Sequence, residues 1–402
     1  MKRALGISLA VLLPLVVVSG FLALTLRPPA DDEARRARIL SLAEAGVENG
    51  DWPGIAWAEV APGRIVSLGA AGFADIASGR TMTPDTTMPI GSISKVMVGL
   101  AAAEAIRSGA LDANAPLADY LHVRVDAPDG LPRTFGQLAT HTAGIRDSEA
   151  GYDAAVYHYG STTHPVPLAA FLASYLSVGG RLYDAQANFA PWPPGSRYEY
   201  SNVGAGLAAQ AIADSTGEDF AAYSRRVLAP LGFSGGWGQL GPVPEIGATL
   251  YARDTSGNFE PLPPYGLATW PDGQFNASAR DLARLLAVVM GAGRFEGAPI
   301  LDPETVALLT TPRATGFEGF EHPTDSVGLF WTRETLSFGP YRLDGEGHNG
   351  GDPGVFTMMY RIVGTDVGFV VMMNGMPEGN LGLFRLVRIV NLLANMPTAQ
   401  VR

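Results

Sequence analysis

A chain of 402 residues with 28 Lys plus Arg against 39 Asp plus Glu carries a formal charge of −11, which argues against nucleic acid or another polyanion as its main partner, because phosphate binding is largely Lys/Arg neutralisation. Hydrophobic residues make up 47% and charged ones 17%, enough apolar material for one large core and too little charge for a disordered chain. Cysteine is absent, so disulfides, thiol nucleophiles, Fe–S clusters, Cys-ligated zinc and lipidation of an N-terminal Cys are excluded.

Between Arg3 and Arg27 lie 23 uncharged, mostly apolar residues, Ala4 to Leu26, long enough at about 1.5 Å per residue to span a hydrocarbon core of about 30 Å. The apolar region of a cleaved signal is shorter, about 7 to 15 residues, which favours an uncleaved signal anchor over a removed signal peptide. Either way residues 1–30 serve targeting and linkage. Residues 31–402 are then expected to work in the cell envelope, on its periplasmic or extracellular face.

Residues 33–48 have helical spacing, with Ile39, Leu40, Leu42 and Ala43 forming an apolar stripe. Two strands are predicted at Gly54–Val60 and Arg64–Leu68, separated by the turn residues Pro62-Gly63. A helix follows over Ser92–Arg107, and the middle third mixes Pro/Gly-rich loops with helices around 204–214 and 279–290. Apolar residues alternate at strand spacing over Val327–Thr335, Gly354–Val363 and Asp366–Met373, before a last helix at Asn380–Leu393. This order predicts an α+β fold: an antiparallel sheet shared by the first and last segments, flanked by N- and C-terminal helices, with a mainly helical lobe inserted.

Only two of the basic residues are lysines, Lys2 in the targeting segment and Lys95. Arg cannot surrender its proton inside a protein, whereas a buried Lys can, so a lone Lys in an Arg-using chain points to proton transfer. Lys95 closes Gly91-Ser92-Ile93-Ser94-Lys95, an S-x-x-K pattern at a helix start. The i, i+3 spacing brings amine and hydroxyl together one turn apart, and the helix N-terminus is expected to lower the amine's pKa while favouring a developing alkoxide. The bland alternative is a helix cap followed by an exposed Lys.

A second element is Tyr200-Ser201-Asn202, where a phenol near a Lys ammonium is expected to ionise below about 10 and act as a base, with Asn202 as a hydrogen-bonding partner. The third is His348-Asn349-Gly350-Gly351, leading through Asp352-Pro353-Gly354 into a strand. Its glycines let backbone approach a substrate and offer an N–H to an oxyanion. In isolation these read as a loop tripeptide and a glycine-rich hairpin corner.

Together the three motifs, with Leu138–Ile145, Leu228–Gly232 and Asn276–Leu282 between them, resemble the serine β-lactamase and penicillin-binding-protein superfamily over about residues 35–395. The likeness is to its class C-like branch, which includes carboxylesterases, D-aminopeptidases and D-alanyl-D-alanine carboxypeptidases. The resemblance implies a β-lactamase-like fold and a serine hydrolase that forms an acyl-Ser92 intermediate on an ester, amide or peptide. By resemblance, Lys95 and Tyr200 are the proton-transfer pair, Asn202 positions the substrate, and the N–H groups of Ser92 and Gly351 form the oxyanion hole, with Gly350 and His348 beside them. His141 falls at a structural position. His348 stands where many relatives carry Lys, so the charge that holds a substrate carboxylate is missing or pH-dependent, which weakens the case for β-lactam hydrolysis. Arg342 is a candidate replacement.

Tyr152, Tyr157, Tyr159, Tyr175, Tyr183, Trp192 and Tyr198 form either a wall over the site or the packing of their own loops. Two readings compete with the serine hydrolase: a membrane-anchored, non-catalytic binder of cell-wall peptides, and an α/β-hydrolase whose G-x-S-x-G elbow supplies Ser234. Gly204-Ala205-Gly206 fits a dinucleotide fingerprint in spacing alone and is read as the small-residue start of a helix under Tyr200. The six His form no metal-binding pattern, so neither metal nor cofactor is expected.

Overall fold

The computed structural model describes residues 29, 31–238, 247–322, 325–338, 341–377 and 379–397. The apolar segment Ala4–Leu26 lies outside them. Among the described residues no helix is long and apolar enough to cross a membrane.

Helix α1 (Asp32–Glu48) leads into β1 (Gly54–Ala61), β2 (Arg64–Asp75) and the short β3 (Arg80–Thr81). After an excursion of more than two hundred residues the chain returns through β4 (Ala314–Thr315), β5 (Ser326–Val327), β6 (Thr332–Phe338), β7 (Tyr341–Asp352), β8 (Val355–Ile362) and β9 (Gly368–Met373). All nine join one antiparallel sheet in the order β4-β5-β6-β7-β8-β9-β1-β2-β3. The first and last segments meet where β1 pairs with β9, Ile55 opposite Met373.

Both faces of the sheet are covered, which explains why β1 is buried along its whole length. Its alternate residues divide by face: Ile55, Trp57 and Ala61 pack with α1 and the C-terminal helix α2 (Gly379–Ala394). Ala56, Ala58 and Val60 face the large core beneath the inserted helices, as the two-residue period of a strand requires.

Within the excursion, α3 (Ser94–Arg107) is the central helix, packed against α4 (Asn202–Thr216), α5 (Phe220–Leu228) and the short helix Pro303–Thr310, and the same excursion carries α6 (Ala279–Met290). The last lies across β1, β2 and β9. Helix α3 is sheathed nearly all round, and the Cβ of an alanine at Gly99 would come within 2.1 Å of the Leu329 carbonyl. That close approach locks α3 in place.

Most sequence-derived elements fall within a few residues of the observed ones, and the expected α+β architecture is present. Three differ. Ser92 sits in a 3-10 turn, Gly91–Ile93, that feeds the α-helix rather than in the helix itself. The run Val327–Thr335 is two strands broken at 328–331, where Phe330 takes φ 56°. The glycine-rich segment around His348 is no hairpin corner but part of β7, a 12-residue strand; the turn comes after it, at Pro353-Gly354, with Gly354 at φ 71°.

Candidate active site

The 3-10 turn that carries Ser92 is gripped from two sides. Ile90 N–H donates to the Phe275 carbonyl at 2.9 Å, and Met88–Pro89 pairs with Asn276–Ala277. From the sheet, Thr357 Oγ1 donates to the Ile90 carbonyl at 2.8 Å. Gly350, opposite Thr357 in β7, lies so close that a Cβ there would fall 2.2 Å from Ile90 O and 3.1 Å from Ser92 N. At Gly351 a Cβ would meet nothing within 4 Å. The strand therefore presses its Gly350 face onto the Ser92 turn.

Lys95 is fully buried, and its Nζ donates to Ser92 Oγ at 3.0 Å and to the Asp272 carbonyl at 2.9 Å. The Asp272 carboxylate is 3.8 Å away. Burial lowers the lysine pKa, opposed by the charges of Asp272, Asp147 and Asp352. The direction matches the sequence expectation. Its largest cause is desolvation, not the helix terminus.

Tyr200 lies with its ring centroid 4.9 Å from Lys95 Nζ and its hydroxyl hydrogen-bonded to Ser92. Here the expectation of an easily ionised phenol is overturned: burial pushes the Tyr200 pKa up, and Asp272, Asp147 and Glu334 add to the rise. The neighbouring ammonium does not offset a desolvated phenolate among carboxylates. Tyr200 therefore holds its proton at neutral pH, and Lys95 is the better base.

Asn202 opens α4 just past Tyr200. The Asp147 carboxylate accepts from Ser201 Oγ at 2.9 Å, Asn202 N–H at 2.7 Å and Val203 N–H at 3.1 Å, so it caps the helix and fixes this loop. Beneath, Gly206 packs against Thr269 and Leu168, as a small-residue helix start should. His141, at φ 56°, accepts from Ser201 N–H through Nδ1 at 3.2 Å and stacks on the Tyr200 ring at 4.4 Å. It holds Tyr200 in place.

His348 is buried beside Tyr200, ring centroids 6.3 Å apart. Burial, helped by the Lys95 charge, lowers its pKa to about 4. The ring is neutral at physiological pH and offers no positive charge to a carboxylate. Arg342 does not replace it, for it stands six residues back along β7, about 20 Å at about 3.3 Å per residue.

The His348 shift sets a stability prediction. The folded state resists a proton that the unfolded chain accepts below about 6.5, so stability is lost as pH falls from about 6.5 to about 4. Relative to His348→Gln, the wild type is expected to lose about 3 kcal/mol across that window, at 1.36 kcal/mol per pKa unit. Urea midpoints of both proteins at pH 7.5 and pH 4 read this directly; parallel shifts would contradict it.

Sequence reasoning missed Asp147, Asp272 and the role of Asp352. Asp272 lies in a 3-10 turn, Trp270–Asp272, with no motif around it. Asp352 follows His348 and Gly350 at two-residue spacing, a signal that needed β7 to be recognised as a strand. Of the aromatics, Tyr157 donates to Asp352, and Tyr152 to Asp272 at 3.4 Å. Tyr175 and Tyr183 instead brace their own loops, donating to the Arg146 and Asp126 carbonyls at 2.7 Å each. Both readings of that segment thus hold in part.

Ser234 is not an elbow nucleophile. A 3-10 turn, not a strand, precedes it, and its hydroxyl donates to Asp281 at 2.5 Å, the carboxylate of the capping box that opens α6.

The family model described as Beta-lactamase matches residues 39–392. The D-alanyl-D-alanine-carboxypeptidase/endopeptidase AmpH of Escherichia coli (strain K12) is 24% identical over 313 residues, 75% of this chain and 71% of that protein. A D-aminopeptidase of Brucella canis is 32% identical over 184 residues, 46% of this chain and 32% of that protein. Among solved structures, the D-amino acid amidase from Ochrobactrum anthropi SV3 superposes with a TM-score of 0.66 at 21% identity, over 90% of this chain and 99% of that one.

Proposed function

The chain belongs to the beta-lactamase family and is a serine hydrolase of it, and on that premise we propose that it cleaves an ester, amide or peptide through an acyl-Ser92 intermediate. The observation that carries the reading is the contact of Ser92 Oγ with a buried Lys95 amine at 3.0 Å, beside a protonated Tyr200.

Lys95 removes the hydroxyl proton as Ser92 Oγ bonds to the carbonyl carbon. The carbonyl electron pair moves onto oxygen, which faces the Ser92 and Gly351 N–H groups. Tyr200 donates its proton to the leaving group as the scissile bond breaks, and Lys95 resupplies it. Water, deprotonated through the same pair, then frees the acyl group. Asn202 positions the substrate. A neutral His348 leaves ester, amide and peptide cleavage better supported than β-lactam hydrolysis, and the amide- and peptide-cleaving names among the relatives support the same order. Residues 4–26 are proposed to place the enzyme in the cell envelope, anchored or released.

Intact and peptide mass analysis after exposure to a fluorophosphonate tests the site. One adduct on Ser92, absent from Ser92→Ala, is expected. An adduct on Ser234 would refute the nucleophile, and no adduct would favour a non-catalytic binding protein.

A further inference from the structure

Strand β7 places His348, Gly350 and Asp352 on one face, because alternate residues of a strand point the same way. Gly350 defines that face as the one against Ser92, since a Cβ there would meet Ile90 O and Ser92 N. The register with β8 runs unbroken from Gly345 to Asp352, so no bulge rotates Asp352 away. His348 flanks the nucleophile on the Tyr200 side. Asp352 flanks it on the other, its Oδ2 only 3.2 Å from where a Cβ on Gly273 would stand, next to Asp272.

The charge around Ser92 is one-sided. Lys95 is the cation that acts on Asp147, Asp272 and Asp352 alike, and it is the proposed base, unable to neutralise them when it has lost its proton. Tyr157 donates its hydroxyl to Asp352, and Tyr265 beside it donates to the Pro353 carbonyl at 3.4 Å, which orients the carboxylate without cancelling its charge. Burial holds the Asp352 pKa up at about 6, still below neutral pH.

The unpaired polar atoms have the same character. Asp272 is 4% exposed, and its Oδ1 has no hydrogen-bond partner. His348 is 3% exposed; its Nδ1 lies 2.5 Å from the Asn349 carbonyl, so that nitrogen carries the proton and Nε2 is left as an acceptor without a partner. Two buried acceptors and a half-buried carboxylate around one nucleophile call for a ligand rich in donors and positively charged.

We propose that the substrate carries a free amine on the acyl side of the bond cleaved, held as an ammonium by Asp352 with Asp272 behind it. The enzyme then acts on amides, peptides or esters with a free amino end rather than on those ending in a free carboxylate. Two residues along a strand span about 7 Å, the reach of an α-amino acyl group with a hydrogen bond at each end. The inference rests on Ser92 as nucleophile.

The test compares 4-nitroaniline release from D- and L-alanine 4-nitroanilide with release from their N-acetyl derivatives. For the better enantiomer the kcat/KM ratio, free amine over N-acetyl, is expected to exceed about tenfold, the scale of one charge-assisted hydrogen bond. In Asp352→Asn it falls towards one, and in Asp352→Glu a preference for the free amine returns. A wild-type ratio at or below one overturns the proposal, as does an unchanged ratio in Asp352→Asn. Slower fluorophosphonate labelling of Ser92 in the presence of alaninamide, but not of N-acetylalaninamide, is expected without any turnover; equal protection by both counts against it. Failure of the amine preference with a Ser92 adduct formed rejects this inference alone, whereas absence of the adduct rejects the nucleophile and this inference together.

Discussion

Lys95→Arg is expected to lower kcat/KM by about a thousandfold on any substrate the wild type turns over, within the range that general acid–base groups contribute. The variant keeps a positive charge next to Ser92 Oγ and the Asp272 carbonyl, so a purely electrostatic or structural role would survive it. A role as proton acceptor would not, because a guanidinium does not give up its proton in a protein. The chain uses Arg for nearly every other cation, and here burial lowers the Lys95 pKa, so that the amine gives up its proton more readily than an exposed lysine. Arg is also the larger side chain in a fully buried place. Lys95→Met, closer in volume and without a base, therefore serves as the companion. Comparable losses in both variants, with far-UV circular dichroism unchanged, meet the expectation. Retention of more than about a tenth of wild-type activity in Lys95→Arg would remove Lys95 from proton transfer.

Adjacent glycines are expected to behave very differently. An alanine at Gly350 brings its Cβ to 2.2 Å from the Ile90 carbonyl and 2.4 Å from Thr357 Oγ1, where the strand grips the turn before the nucleophile. Backbone cannot yield as a flexible side chain does, so β7 has to move away from Ser92. A displacement of about 1 Å at an oxyanion donor costs about a hundredfold in rate, and overpacking adds about 2 kcal/mol of destabilisation. At Gly351 the Cβ enters open space, and the loss is expected to be smaller by about an order of magnitude. Acylation rates with a fluorophosphonate and urea midpoints for the two variants separate the effects. Equal losses at both positions would mean that the spacing between strand and turn does not set the reaction geometry.

What could be read in the sequence was what neighbours along the chain determine. The i, i+3 spacing of Ser92 and Lys95 survives as a 3.0 Å contact, although the serine stands in a 3-10 turn. Helix α6 begins at Ala279 and ends at Met290, the bounds expected from the sequence. The β1–β2 hairpin followed from two strand-like runs separated by the turn residues Pro62-Gly63. Strand β7 did not, because its glycines and charged residues show no apolar period; it is a strand because β6 and β8 pair with it on either side.

The carboxylates around Lys95 belong to the tertiary structure alone. Asp147, Asp272 and Asp352 come from three distant stretches of chain, and no motif in the sequence joins them to Lys95 as one joins Tyr200. The sign of the Tyr200 shift depends on this assembly. From sequence, a lysine nearby favours the phenolate; in the fold, burial and three carboxylates outweigh it. Hydrogen-bonded turns and side-chain periodicity act over three or four residues, so a sequence displays them directly. Desolvation and Coulomb interactions depend on distance in space and on the exclusion of water, and those exist only once the sheet has closed over the helical lobe.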